Sequence, residues 1–187
     1  MYINYNGFQY PNYINTTGES SSNINNPNTL YQCPYYGYPY RYNSCTPKYP
    51  LKDYGPEPFV INIEEATKEN TNFRTALWTG SHLQVTLMSI DVGGEIGLEI
   101  HPNTDQFIRI EEGQGIVMMG DYKDNLNFQK RVYDDYAFII PAGKWHNVIN
   151  TGNTPLKVYS IYAPPQHPRG TVHATKAIAD AAEEKHS

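Results

Sequence analysis

Gly94-Glu95-Ile96-Gly97-Leu98-Glu99-Ile100-His101 alternates polar or small residues with aliphatic ones, so as a β-strand it separates into two faces. Glu95, Gly97, Glu99 and His101 share one face, and Ile96, Leu98 and Ile100 share the other. A carboxylate and an imidazole at alternate strand positions point the same way, which lets one strand offer two ligands to one cation. Taken alone, the polar face belongs to solvent. Turned inward, it needs a partner for its charge, and the aliphatic face then needs cover from a second sheet or a second subunit.

A second stretch, Pro141-Ala142-Gly143-Lys144-Trp145-His146, runs on to Asn150, as the first runs on to Gln106 and Gly113. Together they resemble the two sequence motifs of the cupin family. The first family motif is a glycine, five residues, His-x-His, three or four residues, a glutamate and, six residues later, another glycine. The second is Pro-x-Gly-x-x-His-x-x-x-Asn, which this chain matches in full. Against the first, His101 matches the second histidine, Glu99 stands where the first histidine belongs and Gln106 where the glutamate belongs. The resemblance spans roughly residues 59–165. It implies an all-β fold, a cupin-type double-stranded β-helix or jelly-roll barrel, whose small interior has room for one ion and a small ligand.

The resemblance also implies the ligand set Glu99, His101, Gln106 and His146 around one divalent metal ion, with zinc, manganese, iron and nickel all open. Exchanging a histidine for Glu99 and a glutamate for Gln106 keeps one negative ligand in the set. Gln106 then serves as a carbonyl-oxygen ligand or as a group that orients the ligands. Glu99 and His146 are the candidate catalytic residues. A competing reading has the site without an ion, with Glu99 partly desolvated, its pKa raised, and acting as a general base.

From Phe59 onward, short apolar runs are punctuated by turn residues, the spacing of an all-β sandwich or barrel. Strands are expected at 59–63, 74–78, 83–90, 95–101, 106–111, 115–119, 128–133, 136–140, 146–149 and 156–162, with a turn or two of helix over 64–70. Gly93-Gly94, Gly113-Gln114-Gly115 and Asp134-Asp135 supply the turns. A polar, proline-stiffened strip follows the last strand, where His167, Arg169 or His173 could fold back over the barrel mouth or brace a partner subunit. Thr175 is positioned to cap a short C-terminal helix over 176–184. The expected organisation is an irregular extension over 1–55, a barrel over 56–165, and the strip and helix over 166–187.

The extension is compositionally foreign to the rest. Twelve of the seventeen tyrosines fall in residues 1–55, among Asn, Pro, Ser and Gly, with neither a helical nor a strand period. It reads as a tail without a core of its own, or, by its likeness to Tyr-rich spore-coat segments, as one that is cross-linked into a shell. Cys33 and Cys45 lie in it, as incidental thiols or as cross-linking groups, which a mass shift on reduction distinguishes.

The whole chain of 187 residues is long enough for one core. Its net charge of -5, with scattered Lys and Arg, argues against a nucleic-acid partner. Its apolar runs are too short to span a bilayer and its N-terminus lacks a signal-peptide pattern, so no membrane partner is expected and the protein is placed in the cytoplasm or a spore coat. The outer aliphatic face, with Phe107 outward if Gln106 points in, suggests a homodimer. The resemblance implies a small-molecule ligand and, from phosphomannose-isomerase-like members, a metal-assisted proton transfer on a sugar or other small polar carbonyl compound. A structural coat component and a non-catalytic small-molecule binder are the alternatives. The cations near candidate positions are Arg109, Lys144, Lys157 and Arg169, too few to make a convergent phosphate clamp.

Overall fold

The computed structural model describes residues 50–184; the extension before them, with Cys33 and Cys45, lies outside the described residues. Ten strands and two helices follow in order: α1 (Ile63–Glu69), β1 (Arg74–Thr79), β2 (Gln84–Ile90), β3 (Glu99–Ile100), β4 (Asp105–Glu112), β5 (Gln114–Gly120), β6 (Phe128–Tyr133), β7 (Ala137–Ile140), β8 (Trp145–Asn150), β9 (Leu156–Ala163), β10 (Val172–His173) and α2 (Lys176–Glu183). They form a six-stranded sheet, β10-β1-β2-β9-β4-β7, and a four-stranded sheet, β3-β8-β5-β6, with antiparallel pairing throughout. Residues of both sheets share one apolar cluster, including Met88, Ile108 and Val158 from the first and Val117, Val132 and Val148 from the second. This is the expected double-stranded β-helix.

Strand register divides the interior into layers. Gln84, Tyr162 and Gln106 lie opposite one another across β2, β9 and β4, followed by Thr86, Ser160 and Ile108, and then by Met88, Val158 and Ile110. All nine are fully buried. The inward stripe of each strand therefore runs from polar at one end of the barrel to apolar at the other. On the facing sheet the same change occurs along β8, from His146 to Val148.

The outer face of the large sheet is covered from the N-terminal side. Leu77 of β1 and Leu87 of β2 pack against Leu51, Tyr54, Phe59, Ile61 and Ile63, with the Tyr54 and Phe59 rings stacked at 4.2 Å. Burying a leucine side chain contributes about 1.5–3 kcal/mol, so this cover is a substantial stabilising element. Asp53 ties it down by accepting from Thr79 N and Oγ1 and from Gly170 N. The extension drawn to residue 55 thus ends inside the packing of the barrel. Nor is 59–63 a strand: Pro56 and Pro58 remove backbone donors, β1 already has β2 and β10 as neighbours, and Asn62 instead caps α1 by accepting from Glu65 N at 3.2 Å.

The expected strand over 95–101 is broken at Gly97. Its φ of 108° lies in the left-handed region that glycine enters without strain. Only Glu99–Ile100 forms a strand, and Glu95 makes a single bridge to Ile149. Asn147 fills the break, with Oδ1 accepting from Gly97 N at 3.0 Å and Nδ2 donating to Glu95 Oε2 at 2.8 Å. Simple alternation therefore fails across the break. Ile96 enters the apolar core, Leu98 is 40% exposed, and Glu99 and His101 still point inward.

After β9 the chain turns back over the polar end of the barrel. Gln84 holds this strap, its Nε2 donating to His167 O at 2.9 Å and its Oε1 accepting from His167 N at 2.9 Å. The strap then adds β10 to the edge of β1. Thr175 caps α2 as expected, and Ala179 of α2 joins the apolar core. No helix among the described residues is long and apolar enough to cross a membrane.

If the break at Gly97 sets the orientation, Ile96→Ala will lose about 2–5 kcal/mol in urea denaturation, whereas Leu98→Ala will lose about 0.5 kcal/mol or less. Equal losses would restore the unbroken strand.

Candidate metal centre

Two loops and two strands bring the site together. In the turn before β8, Gly143 N donates to His101 O at 2.9 Å and Ala142 N donates to Asp105 Oδ1 at 2.8 Å, so the second sequence stretch is fastened to the first. β3 pairs with β8 in a register that sets Glu99 directly opposite His146. Asn150, at the other end of β8, has a structural role. Its Nδ2 donates to the carbonyls of Ile90, Asp91 and Thr154, and its Oδ1 accepts from Gly152 N at 2.9 Å.

Glu99 Oε1 lies 3.2 Å from His146 Nε2 and 3.3 Å from His101 Nε2. The ligand atoms of all three residues lie within 4.8 Å of one another. His146 is fully buried, and its Nδ1 lies 3.0 Å from Lys144 O. A carbonyl only accepts, so Nδ1 carries a proton, and in the neutral ring Nε2 presents a lone pair toward Glu99. His101 is also buried, and neither of its ring nitrogens makes a hydrogen bond. Its Nε2 is near Glu99 Oε1 in distance but not along a hydrogen-bonding direction.

Three electron-pair donors thus converge in a buried space where only a cation or extra protons relieve their repulsion. Zinc–ligand bonds of about 2.0–2.1 Å in tetrahedral geometry put neighbouring ligand atoms about 3.3 Å apart, and two of the three separations fall there. The residues present fit a divalent ion.

Burial alone would raise the Glu99 carboxyl pKa, but His101 and His146, when each carries a proton on the nitrogen facing Oε1, outweigh it and hold the group well below the usual carboxylate range. The rise of the Glu99 pKa expected for a site without an ion is therefore corrected to a fall. Without an ion, extra protons on the two imidazoles take the place of the cation and favour the ionised form of the oxygen between them.

Gln106 is fully buried on β4, opposite Tyr162, and both atoms of its amide lack a hydrogen-bond partner. The Tyr162 ring packs edge-on against both His101 and His167, at centroid separations of 5.6 Å and 5.1 Å. The strap therefore brings His167 to the site, while Arg169 is exposed. Burial pushes the His167 imidazole down to about 3, with the nearby Arg74 guanidinium acting in the same direction.

Several groups here escaped the sequence reading. Arg74 is 1% exposed inside the barrel and lies within electrostatic range of Glu99 and Tyr162. Thr86, Ser160 and Tyr162 carry buried hydroxyls without hydrogen-bond partners. Strand parity could have found these hydroxyls, since Thr86, Ser160 and Tyr162 share stripes with Met88 and Val158.

Comparison with known proteins agrees with this fold. Residues 86–162 match the family model described as cupin domain. Protein YrkC of Bacillus subtilis (strain 168) is 73% identical over 134 residues, covering 72% of each chain. Protein L612 of Acanthamoeba polyphaga mimivirus is 41% identical over 115 residues, covering 61% of this chain and 70% of its own. The crystal structure of BH2720 from Bacillus halodurans superposes with a TM-score of 0.70 at 71% identity, covering 70% of this chain and 99% of its own.

His167 gives this site a pH signature. Its folded pKa lies below the unfolded value of about 6.5, so the stability present above that value is lost as pH falls toward 3. In chelator-treated protein, stability between pH 6 and 4 will fall more steeply for the wild type than for His167→Gln, by up to about 1.4 kcal/mol per pH unit. Parallel slopes would place a charged or solvated imidazole there.

Proposed function

Because this chain belongs to the cupin family, we propose that its barrel binds one divalent metal ion through Glu99, His101 and His146, with Gln106 as a fourth oxygen donor, and uses it for metal-assisted proton transfer on a small polar carbonyl compound. The observation that carries this reading is the approach of His101 Nε2 and His146 Nε2 to the same Glu99 oxygen, with no hydrogen bond made by His101.

A bound ion supplies Lewis acidity, stabilising negative charge that develops on a carbonyl oxygen. The residues supply the remainder. His146 is oriented by Lys144 O, and its tautomer directs Nε2 to the shared point. Both imidazoles meet Glu99 Oε1, which leaves Oε2 as the carboxylate oxygen outside that contact; with neutral imidazoles, free of the protons that hold the carboxyl acidic, Oε2 is the oxygen that accepts a proton from carbon. Tyr162 is a phenol whose pKa burial pushes up, so at neutral pH it donates a hydrogen bond to the oxygen that gains charge. The barrel wall excludes water, since Tyr162, Gln106 and His146 are all fully buried.

Elemental analysis of the purified protein will find about one divalent ion per chain, and less than a tenth of that in His146→Ala. A metal-free wild type that does not take up zinc, manganese, iron or nickel would refute the metal reading. The chemistry has its own readout: incubation of the metal-loaded protein with small carbonyl compounds in heavy water will place deuterium on the carbon next to the carbonyl, and Glu99→Gln will abolish it. A ligand that binds and is recovered without exchange would make the protein a binder instead.

A further inference from the structure

The four cations that the sequence offered do not enter the barrel. Arg109 pairs with Glu111 at 3.1 Å and with Asp135 at 2.7 Å, Lys144 pairs with Asp121, Lys157 donates to Asn70 O, and Arg169 is exposed. A fifth does. Arg74 starts β1, opposite Met88, and its guanidinium is enclosed within the barrel. Its Nη1 donates to Glu183 Oε1 of α2 at 2.9 Å, while its Nε is buried without a hydrogen-bond partner.

Arginine is the side chain that recognises planar carboxylates, and a buried guanidinium donor without an acceptor is costly to maintain. Tyr162 lies within electrostatic range of it, and Thr86 stands two residues along β2 from Met88, the partner of Arg74, with Ser160 opposite Thr86; the hydroxyls of all three are buried. The Thr86 and Ser160 hydroxyls lie near enough to the Tyr162 hydroxyl to favour its ionised form as weak hydrogen-bonding groups, in a geometry short of a regular hydrogen bond. The guanidinium can only donate and each hydroxyl can donate as well as accept, so one acceptor-rich ligand can be shared among them.

Charge points the same way. A divalent ion at the triad outweighs the single negative charge of Glu99, and Arg74 adds a positive charge. Glu183 offsets one of these from the rim, where its side chain is 50% exposed. The interior then retains an excess of positive charge in a water-poor space, a state that an anionic ligand relieves.

We propose that the ligand of this site is a small 2-oxo- or 2-hydroxycarboxylate whose carboxylate is held by Arg74, with the hydroxyls of Thr86, Ser160 and Tyr162 around it. The inference rests on the metal reading above and narrows its carbonyl compound to an organic acid. Glu183 occupies one face of the guanidinium and competes with the ligand for it.

Calorimetric titration of the zinc-loaded full chain with pyruvate and glycolate tests this, with glucose and inorganic phosphate as contrasts. The acids bind and glucose does not; Arg74→Gln weakens the acids by about tenfold or more while zinc stoichiometry stays unchanged. Glu183→Gln, which keeps Arg74 in place, tightens them, and this second variant decides the matter if Arg74→Gln does not fold. Unchanged acid affinity in Arg74→Gln, weaker or equal affinity in Glu183→Gln, or preferential binding of glucose or phosphate would overturn the proposal. Loss of zinc binding in the wild type would instead refute the metal reading on which it rests.

Discussion

A carboxylate oxygen drawn between two imidazoles inside a closed barrel is the interaction on which the rest depends. Glu99 Oε1 reaches His146 Nε2 at 3.2 Å and His101 Nε2 at 3.3 Å, in a place where water is largely excluded. With Nδ1 of His146 committed to a carbonyl, the ring has a lone pair to offer the same point as Glu99. Such an arrangement is expensive in an apolar interior unless positive charge occupies it. The pairing of β3 with β8, the turn bonded to His101 O and the orientation of His146 all hold these atoms at one point.

The barrel accommodates this charge by sorting its interior. Register places Gln84, Tyr162 and Gln106 in one layer and Met88, Val158 and Ile110 in another, so each strand contributes both to the site and to the core that supports it. The apolar layers contribute the stability, and the polar layer carries the unpartnered donors and acceptors. Closing this end is the strap after β9, whose backbone is pinned by Gln84 and which lays His167 on Tyr162.

Much of this was legible in the residues. Turn glycines, short apolar runs and the Pro141-to-Asn150 stretch located most strands, and the pairing of Glu99, His101 and His146 followed from the two motifs. The strand over 95–101 was misread because parity assumes unbroken extension, and the φ of Gly97 is a property of tertiary structure that sequence alternation does not reveal. Phe59–Ile63 has strand composition, but its apolar residues cover the outside of a sheet whose edge is already paired. Arg74 was passed over for a related reason. An arginine at the start of an apolar strand ordinarily faces water, and only the packing of β10 and α2 over that edge encloses it.

The most direct test is a crystal of the protein soaked with zinc, with anomalous diffraction recorded at the zinc edge. A single strong peak bonded to Glu99 Oε1, His101 Nε2 and His146 Nε2, at about 2.0–2.2 Å from each, is the predicted result. An anomalous map with no peak between these atoms, in a crystal where zinc is bound elsewhere, would contradict it.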